Sequence, residues 1–360
     1  MKISTVFIIY ILTGLLLKPQ LCIASASEGI KLCLEIVGPS LFPFFVCSKI
    51  LIKNGFAERM GKALSFIMRP VFNVPGCGAF AFVTGLLSGC PAGAGTVVDL
   101  YEKNMCTHNE AQRMLCFCNN SGPLFIIGSV AVGMLGFAEV GATLYISHIV
   151  SAVVVGVVMS NYKRGETVKN IYCTLSDKST DVVGQSMRES VFLTGYVCGF
   201  VIFFAVVAGI VKESGIITAI AQHTPFADAV EGLLLGMLEM TNGISHLSNG
   251  RISISVLCAI SFVIGFGGLS VALQVYGIVR KHNFSMVIFS FAKLLQGITC
   301  ALVTFLIVSY RNMTLPVFAE SGQWSFLNSW ANSIKIFCIF GITILFLSII
   351  LRVCRIVRRA

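Results

Sequence analysis

Charge is scarce in this chain. Asp, Glu, Lys and Arg make up 12% of its 360 residues, against about 25% in a soluble globular domain. Acidic residues number only 16, and Asp99, Glu102 and Glu110 are too near the cytoplasmic side and too isolated to suggest a catalytic carboxylate pair. No Gly-rich nucleotide-phosphate loop is present, which argues against ATP-driven pumping by this chain alone. The 14 Cys include no C-x-x-C pair. They are scattered through apolar runs, at Cys77, Cys90, Cys198, Cys258, Cys300 and Cys338 among others, and read as small apolar packing residues, not metal ligands. The expectation is therefore no enzyme, no metal and no cofactor. The net charge of +10 reads as Lys- and Arg-rich cytoplasmic loops and not as a nucleic-acid surface.

Apolar length is abundant. Hydrophobic residues reach 56% and mean hydropathy is +0.87, so the fold class expected is an all-α polytopic membrane protein. A span needs about 20 apolar residues. Such runs lie near 4–23, 30–50, 119–137, 140–161, 190–211, 253–279, 285–309 and 332–352, about eight in all. Residues 1–26 also have the outline of a signal peptide, with Lys2, an apolar run and Ala24-Ser25-Ala26; the reading adopted is a first helix. Phe56–Pro70 separates apolar from charged residues on a helical period, as a helix lying in the headgroup layer would. Lys and Arg set the orientation. The tail with Arg352, Arg355, Arg358 and Arg359, the turn Arg280-Lys281-His282, the linker from Lys163-Arg164 and the stretch Lys49–Arg69 all fall on one side, taken as the cytoplasm, together with both termini.

Two further apolar stretches are broken, and they break alike. Gly85-Leu-Leu-Ser88-Gly89-Cys90-Pro91-Ala92-Gly93 is followed by Asn119-Asn120-Ser121-Gly122-Pro123, and Gly236-Met-Leu-Glu239-Met-Thr241-Asn242-Gly243 by Gly265-Phe-Gly267-Gly268-Leu-Ser270. Interrupted segments at corresponding places in two halves point to a transporter's binding site, because broken backbone at membrane depth survives only where it lines a cavity or is buried in protein. The orientation makes residues near 76–100 a re-entrant hairpin from the cytoplasmic side and those near 229–248 a hairpin from the opposite side. The chain then divides into 1–27, a first repeat 28–162, a cytoplasmic linker 163–188, an inverted second repeat 189–310, and a C-terminal span and basic tail 311–360.

Hairpin tips carry free N–H groups and partial positive charge, suited to a carboxylate. Candidate substrate residues are Ser88, Gly89, Pro91, Gly93, Asn119, Asn120, Ser121, Thr241, Asn242, Gly243, Gly268 and Ser270. A glycine cluster alone is explained by tight helix packing; Asn and Thr in apolar surroundings are not. Glu239, ionisable inside an apolar segment, is a functional candidate on cost grounds, as proton carrier, sodium ligand or partner to a buried cation. Lys293 is the candidate cation, with snorkelling to the surface as the alternative. Glu35 lies near the end of a span, and His148 reads as a hydrogen-bonded interior His.

Taken together, Gly85-x-x-Ser88-Gly89-x-Pro91-x-Gly93-Ala94, Glu110-Ala-x-Arg113, Asn119-Asn120-Ser121-Gly122-Pro123, Leu238-Glu239-Met-Thr241-Asn242-Gly243 and Gly265-Phe-Gly267-Gly268-Leu-Ser270 resemble the sporulation integral membrane protein family YlbJ (SpoVV), within the nucleoside-recognition Gate superfamily. The likeness runs from about residue 28 to 310. It implies a role in endospore formation, moving dipicolinate across the outer forespore membrane with a proton or sodium ion as the coupling ion and other sporulation membrane proteins as partners. A more distant likeness to concentrative nucleoside transporters keeps nucleosides open as the substrate, and a non-transporting scaffold or sensor is the rival class. Cys90 departs from the larger, often aromatic, residue expected there.

Overall fold

A computed structural model describes residues 3–54, 63–64, 66–163, 181–224, 227–250 and 252–311. The described residues are helices and short connections, with no strand. The expected span 332–352, the basic tail and most of the amphipathic segment 56–70 lie outside them.

The first apolar run does not cross as one rod. α1 (Ile3–Leu17) and α2 (Pro19–Leu32) meet at 105°. Lys18 leaves the helical region and Pro19 opens α2, where a missing N–H costs nothing. α2 runs through a π-helical turn, Cys33–Val37, into α3 (Gly38–Lys53). A hairpin follows, α4 (Gly78–Ser88) and α5 (Ala92–Glu102). α6 (His108–Cys118), the non-helical stretch Asn119–Gly122 and, after Pro123, a π-helical segment Leu124–Met134 form an interrupted helix. This corrects the expected uniform span 119–137. Its first half was obscured because His108-Asn-Glu-Ala-Gln-Arg113 is polar, yet Thr107 and Glu110 cap it reciprocally, Glu110 N–H donating to Thr107 Oγ1 and Thr107 N–H to Glu110 Oε2. Arg113 is fully buried and donates to the Tyr162 and Lys163 carbonyls. α7 (Glu139–Met159) closes the first half.

The second half repeats this order. α8 (Val182–Glu213) starts earlier than expected, inside the segment read as linker, with Asp181 capping it. After the short α9 (Ile216–Ala221) come a hairpin, α10 (Ala227–Leu238) and α11 (Met240–Ser248), an interrupted helix, α12 (Ile254–Phe266) and α13 (Gly268–Val279), and the long α14 (Met286–Arg311). Four described helical segments, α7, α8, α12–α13 taken together and α14, are long and apolar enough to cross a membrane, or five if the bent α1–α2 pair counts as one span.

The halves interlock. One apolar cluster joins α4–α6 to Val275, Val279, Phe289 and Ala292 of the second half. The other joins the π segment and α7 to Ile244, Leu247, Leu257 and Ile260 of the second half. Lipid leaves little hydrophobic drive between helices, so small residues and dispersion hold such a bundle. The tightest place is the first hairpin. A Cβ on either Gly85 or Gly93 would overlap the Cys118 carbonyl, so that carbonyl is held between the hairpin's two limbs.

Candidate functional site

The two hairpin tips and the first helix break converge on one small cavity of about 60 Å³. Gly89 and Cys90 come from the first tip, Ser121 and Gly122 from the break, Glu239, Met240 and Thr241 from the second tip. Val271 and Gln274 of α13, Val197 and Val201 of α8, and Val37 and Leu41 complete the wall.

Gly89 turns the first tip at φ 81°, a conformation that disfavours any side chain, and Pro91 caps α5. Tyr145 of α7 steadies the hairpin by donating from its hydroxyl to the Leu86 carbonyl at 3.2 Å. The break beside it is held from two helices. Ser121 N–H donates to His148 Nε2 of α7 at 3.0 Å, and Ser121 Oγ reaches Met240 Sδ at 3.8 Å. Lys293 of α14 donates to the Asn119 carbonyl at 2.8 Å and to Gln296 Oε1 at 2.6 Å; Gln296 Nε2 donates to Asn120 Oδ1 at 2.8 Å. Asn120 Nδ2 closes the network on the Phe117 carbonyl. The Lys293, Gln296 and Asn120 side chains are buried. α14 thus splints the break from behind the cavity.

Lys293 therefore does not snorkel, and no ion pair joins it to Glu239. It is a buried ammonium with no carboxylate partner among the described residues. Glu239 sits in the gap between α10 and α11 with extended backbone and caps α11. Its Oε2 accepts from Asn242 N–H at 2.7 Å and its Oε1 from Thr241 Oγ1 at 3.0 Å. A carboxylate on the N-terminal donors of a helix is the arrangement the positive helix end favours. The anion cradle of the second tip is thus already filled by the protein's own carboxylate.

The remaining sequence candidates are placed as follows. Gly89, Ser121, Glu239 and Thr241 line the cavity. Asn119 Nδ2 points to Cys90 Sγ at 3.2 Å, while its Oδ1 is buried without a hydrogen-bond partner. Asn242 faces a different, larger cavity together with Thr241. Ser88, Ser270 and Gly268 are buried, Ser270 accepting from Gln274 Nε2 at 3.3 Å. Gly93 and Gly243 pack against backbone, at the Cys118 carbonyl and at Gly236. Gln274, Gln296, Cys90 and His148 were not among the site candidates. The glutamines carried a signal, since each is a polar amide inside an apolar span; nothing local in the sequence marked their partners.

Among solved structures, that of CNTnw in an inward-facing substrate-bound state aligns with a TM-score of 0.46 at 11% identity, covering 87% of this chain and 92% of that one. The Gate family model, described as nucleoside recognition, matches residues 34–217. With helices long and apolar enough to cross a membrane, the chain is an integral membrane protein of the Gate class. The sporulation integral membrane protein YlbJ of Bacillus subtilis is 30% identical over 371 residues, 91% of each chain, and this chain belongs to that family.

Proposed function

We propose that the protein is a secondary transporter of a small anionic metabolite, working by alternating access between two inverted repeats, with dipicolinate during endospore formation as its substrate. It would act in the outer forespore membrane with both termini in the cytoplasm, without enzymatic activity or a cofactor. The observation that carries this reading is the convergence of both hairpin tips and the first helix break on one cavity. At about 60 Å³ the cavity is well below the ~300 Å³ of a small-molecule pocket, so a planar diacid fits only when the tips separate. Movement is then part of binding, as alternating access requires.

Glu239 supplies the coupling. A substrate carboxylate takes over the donors of Asn242 N–H and Thr241 Oγ1, and Glu239 accepts a proton as it is displaced. The Lys293 ammonium, behind the helix break, balances a second negative charge at longer range. The family description also favours a second reading, a nucleoside as the solute, for which the Gln274 amide would be a base contact.

The experiment is uptake of radiolabelled pyridine-2,6-dicarboxylate into proteoliposomes, with and without proton and sodium gradients, and with uridine as competitor. Proton-driven uptake that persists in Glu239→Gln but loses its pH dependence is the expected result. Uptake and pH dependence both unchanged in Glu239→Gln would remove the coupling role. Uridine uptake would select the nucleoside reading, and no flux of either solute from folded protein would leave a non-transporting scaffold or sensor.

A further inference from the structure

The first 33 residues precede the Gate match, and the structure gives them a place. α1 and α2 fold onto α8, where Ile11 and Cys22 are buried against Phe204, Val207 and Ile210. Helix approach is close: a Cβ on Gly29 would stand 3.0 Å from the Ile202 Cα, and one on Gly209 would strike Ser25. Lys18 Nζ pairs with Glu213 Oε1 at 2.6 Å across the end of α8.

α2 has two faces. At 100° per residue, Leu21, Ala24, Ser25, Glu28, Lys31 and Leu32 fall within about 120° of arc. Ile23 and Ile30 lie opposite, 66% and 44% exposed. The first set lines an open cavity of about 690 Å³, whose other walls are α8 and the outer side of α11, with Lys212, Thr241, Asn242, Ser245 and His246. Glu28, Lys31, Glu35, Lys212 and Glu213 also border it, and charges this dense are too costly against lipid. The space is aqueous, and its volume is in the range of roughly 300–1,000 Å³ that holds small molecules.

Thr241 lines both this cavity and the inner one, so a single turn of α11 separates them. At that wall Asn242 Nδ2 is buried with no hydrogen-bond partner, a donor available to a solute. Lys31 has no ion-pair partner among the described residues. We propose that the polar face of α2 forms the outer wall of an antechamber in which a small carboxylate, held by Lys31 and Asn242, waits until the α10–α11 hairpin parts at Thr241. The N-terminal helices are then a working part of the route and not a removable leader. The proposal rests on the transporter reading for what happens next, but the antechamber can be tested apart from flux.

The test uses the full-length protein in proteoliposomes with the exposed Cys47 replaced by Ser. Glu28→Cys, Ser245→Cys and, as a lipid-facing control, Ile23→Cys are treated with a membrane-impermeant sulfonated thiol reagent, with and without pyridine-2,6-dicarboxylate. Glu28→Cys and Ser245→Cys should react at least about tenfold faster than Ile23→Cys, be slowed by the dicarboxylate, and lose uptake once modified. Unreactive Glu28→Cys in folded protein, or reaction without protection and with uptake unchanged, overturns the proposal. Absence of uptake in the unmodified protein sinks the transporter reading instead; reactivity and protection at Glu28 and Ser245 then still decide whether the antechamber exists.

Discussion

Lys293 is the residue whose removal best separates structure from function. Its ammonium is buried, hydrogen-bonded to the Asn119 carbonyl and Gln296, and faces no carboxylate. Loss of the ammonium leaves the buried Asn119 carbonyl and Gln296 Oε1 without their donor, a cost of about 1–3 kcal/mol. Lys293→Met should therefore lower the detergent melting temperature and, if the charge serves the solute, also weaken anion binding by about tenfold or more, ~1.5–3 kcal/mol. A melting temperature that falls with anion binding unchanged would make Lys293 a splint for the helix break and nothing more. Gly85 is the purely structural control. Gly85→Val would drive a side chain into the Cys118 carbonyl, and overpacking of this kind costs about 1–3 kcal/mol. The melting temperature should drop with or without ligand, read by thermal unfolding in detergent.

Elements explain what local pattern revealed and what it hid. The two broken stretches were legible because Gly, Pro and Asn clusters stand out in apolar surroundings, and hairpins and interrupted helices do occur there. α6 was not legible by hydropathy: its buried Glu110 pairs with Arg69 at 2.7 Å and its buried Arg113 reaches the end of α7, so charges that resembled a cytoplasmic loop are internal ties. Its Thr107–Glu110 capping box was the available signal. The splint from α14 was beyond reach, since Lys293 and Asn119 lie 174 residues apart in sequence. The second interrupted helix offers a direct test of whether the break matters. Gly267 and Gly268 have φ 83° and 80°, values that cost a residue with a Cβ about 1–2 kcal/mol each. Gly268 also approaches the Gly236 carbonyl, where an added Cβ would stand at 2.9 Å. Gly267→Ala/Gly268→Ala should lower the melting temperature and abolish uptake, because the break between α12 and α13 can no longer keep its left-handed backbone against the second hairpin. Retained uptake in the double variant would show the break to be a packing accommodation.

Across the whole molecule, the order of hairpin, interrupted helix and long helix occurs twice, and what distinguishes a transporter from a rigid bundle is whether the two copies face opposite sides. The base of the first hairpin is fastened to the α13–α14 turn: His282 Nε2 lies 3.0 Å from Glu102 Oε1, His108 stacks on Phe284, and Gln112 exchanges hydrogen bonds with Ser285 in both directions. In the proposed orientation the basic residues of that turn, Arg280 and Lys281, would lie in the cytoplasm. Among the described residues, the base of the second hairpin shows looser contacts, Lys212 and His246 at 3.9 and 4.0 Å from Glu231, and it borders the antechamber. An inverted arrangement then requires exposed Lys103 at the first base and exposed Asn249 at the second to lie on opposite sides of the membrane. In oriented vesicles with Cys47 replaced by Ser, Lys103→Cys should react with an impermeant thiol reagent only from the cytoplasmic side and Asn249→Cys only from the other. Backbone amides of α11 should also exchange with deuterium faster than those of α5, since a hairpin with few ties at its base opens at lower free energy. Labelling of both positions from one side would refute the inverted repeat, and with it alternating access through this pair of hairpins. Opposite-side labelling with equal exchange in both hairpins would keep the inversion but move the gate away from Thr241.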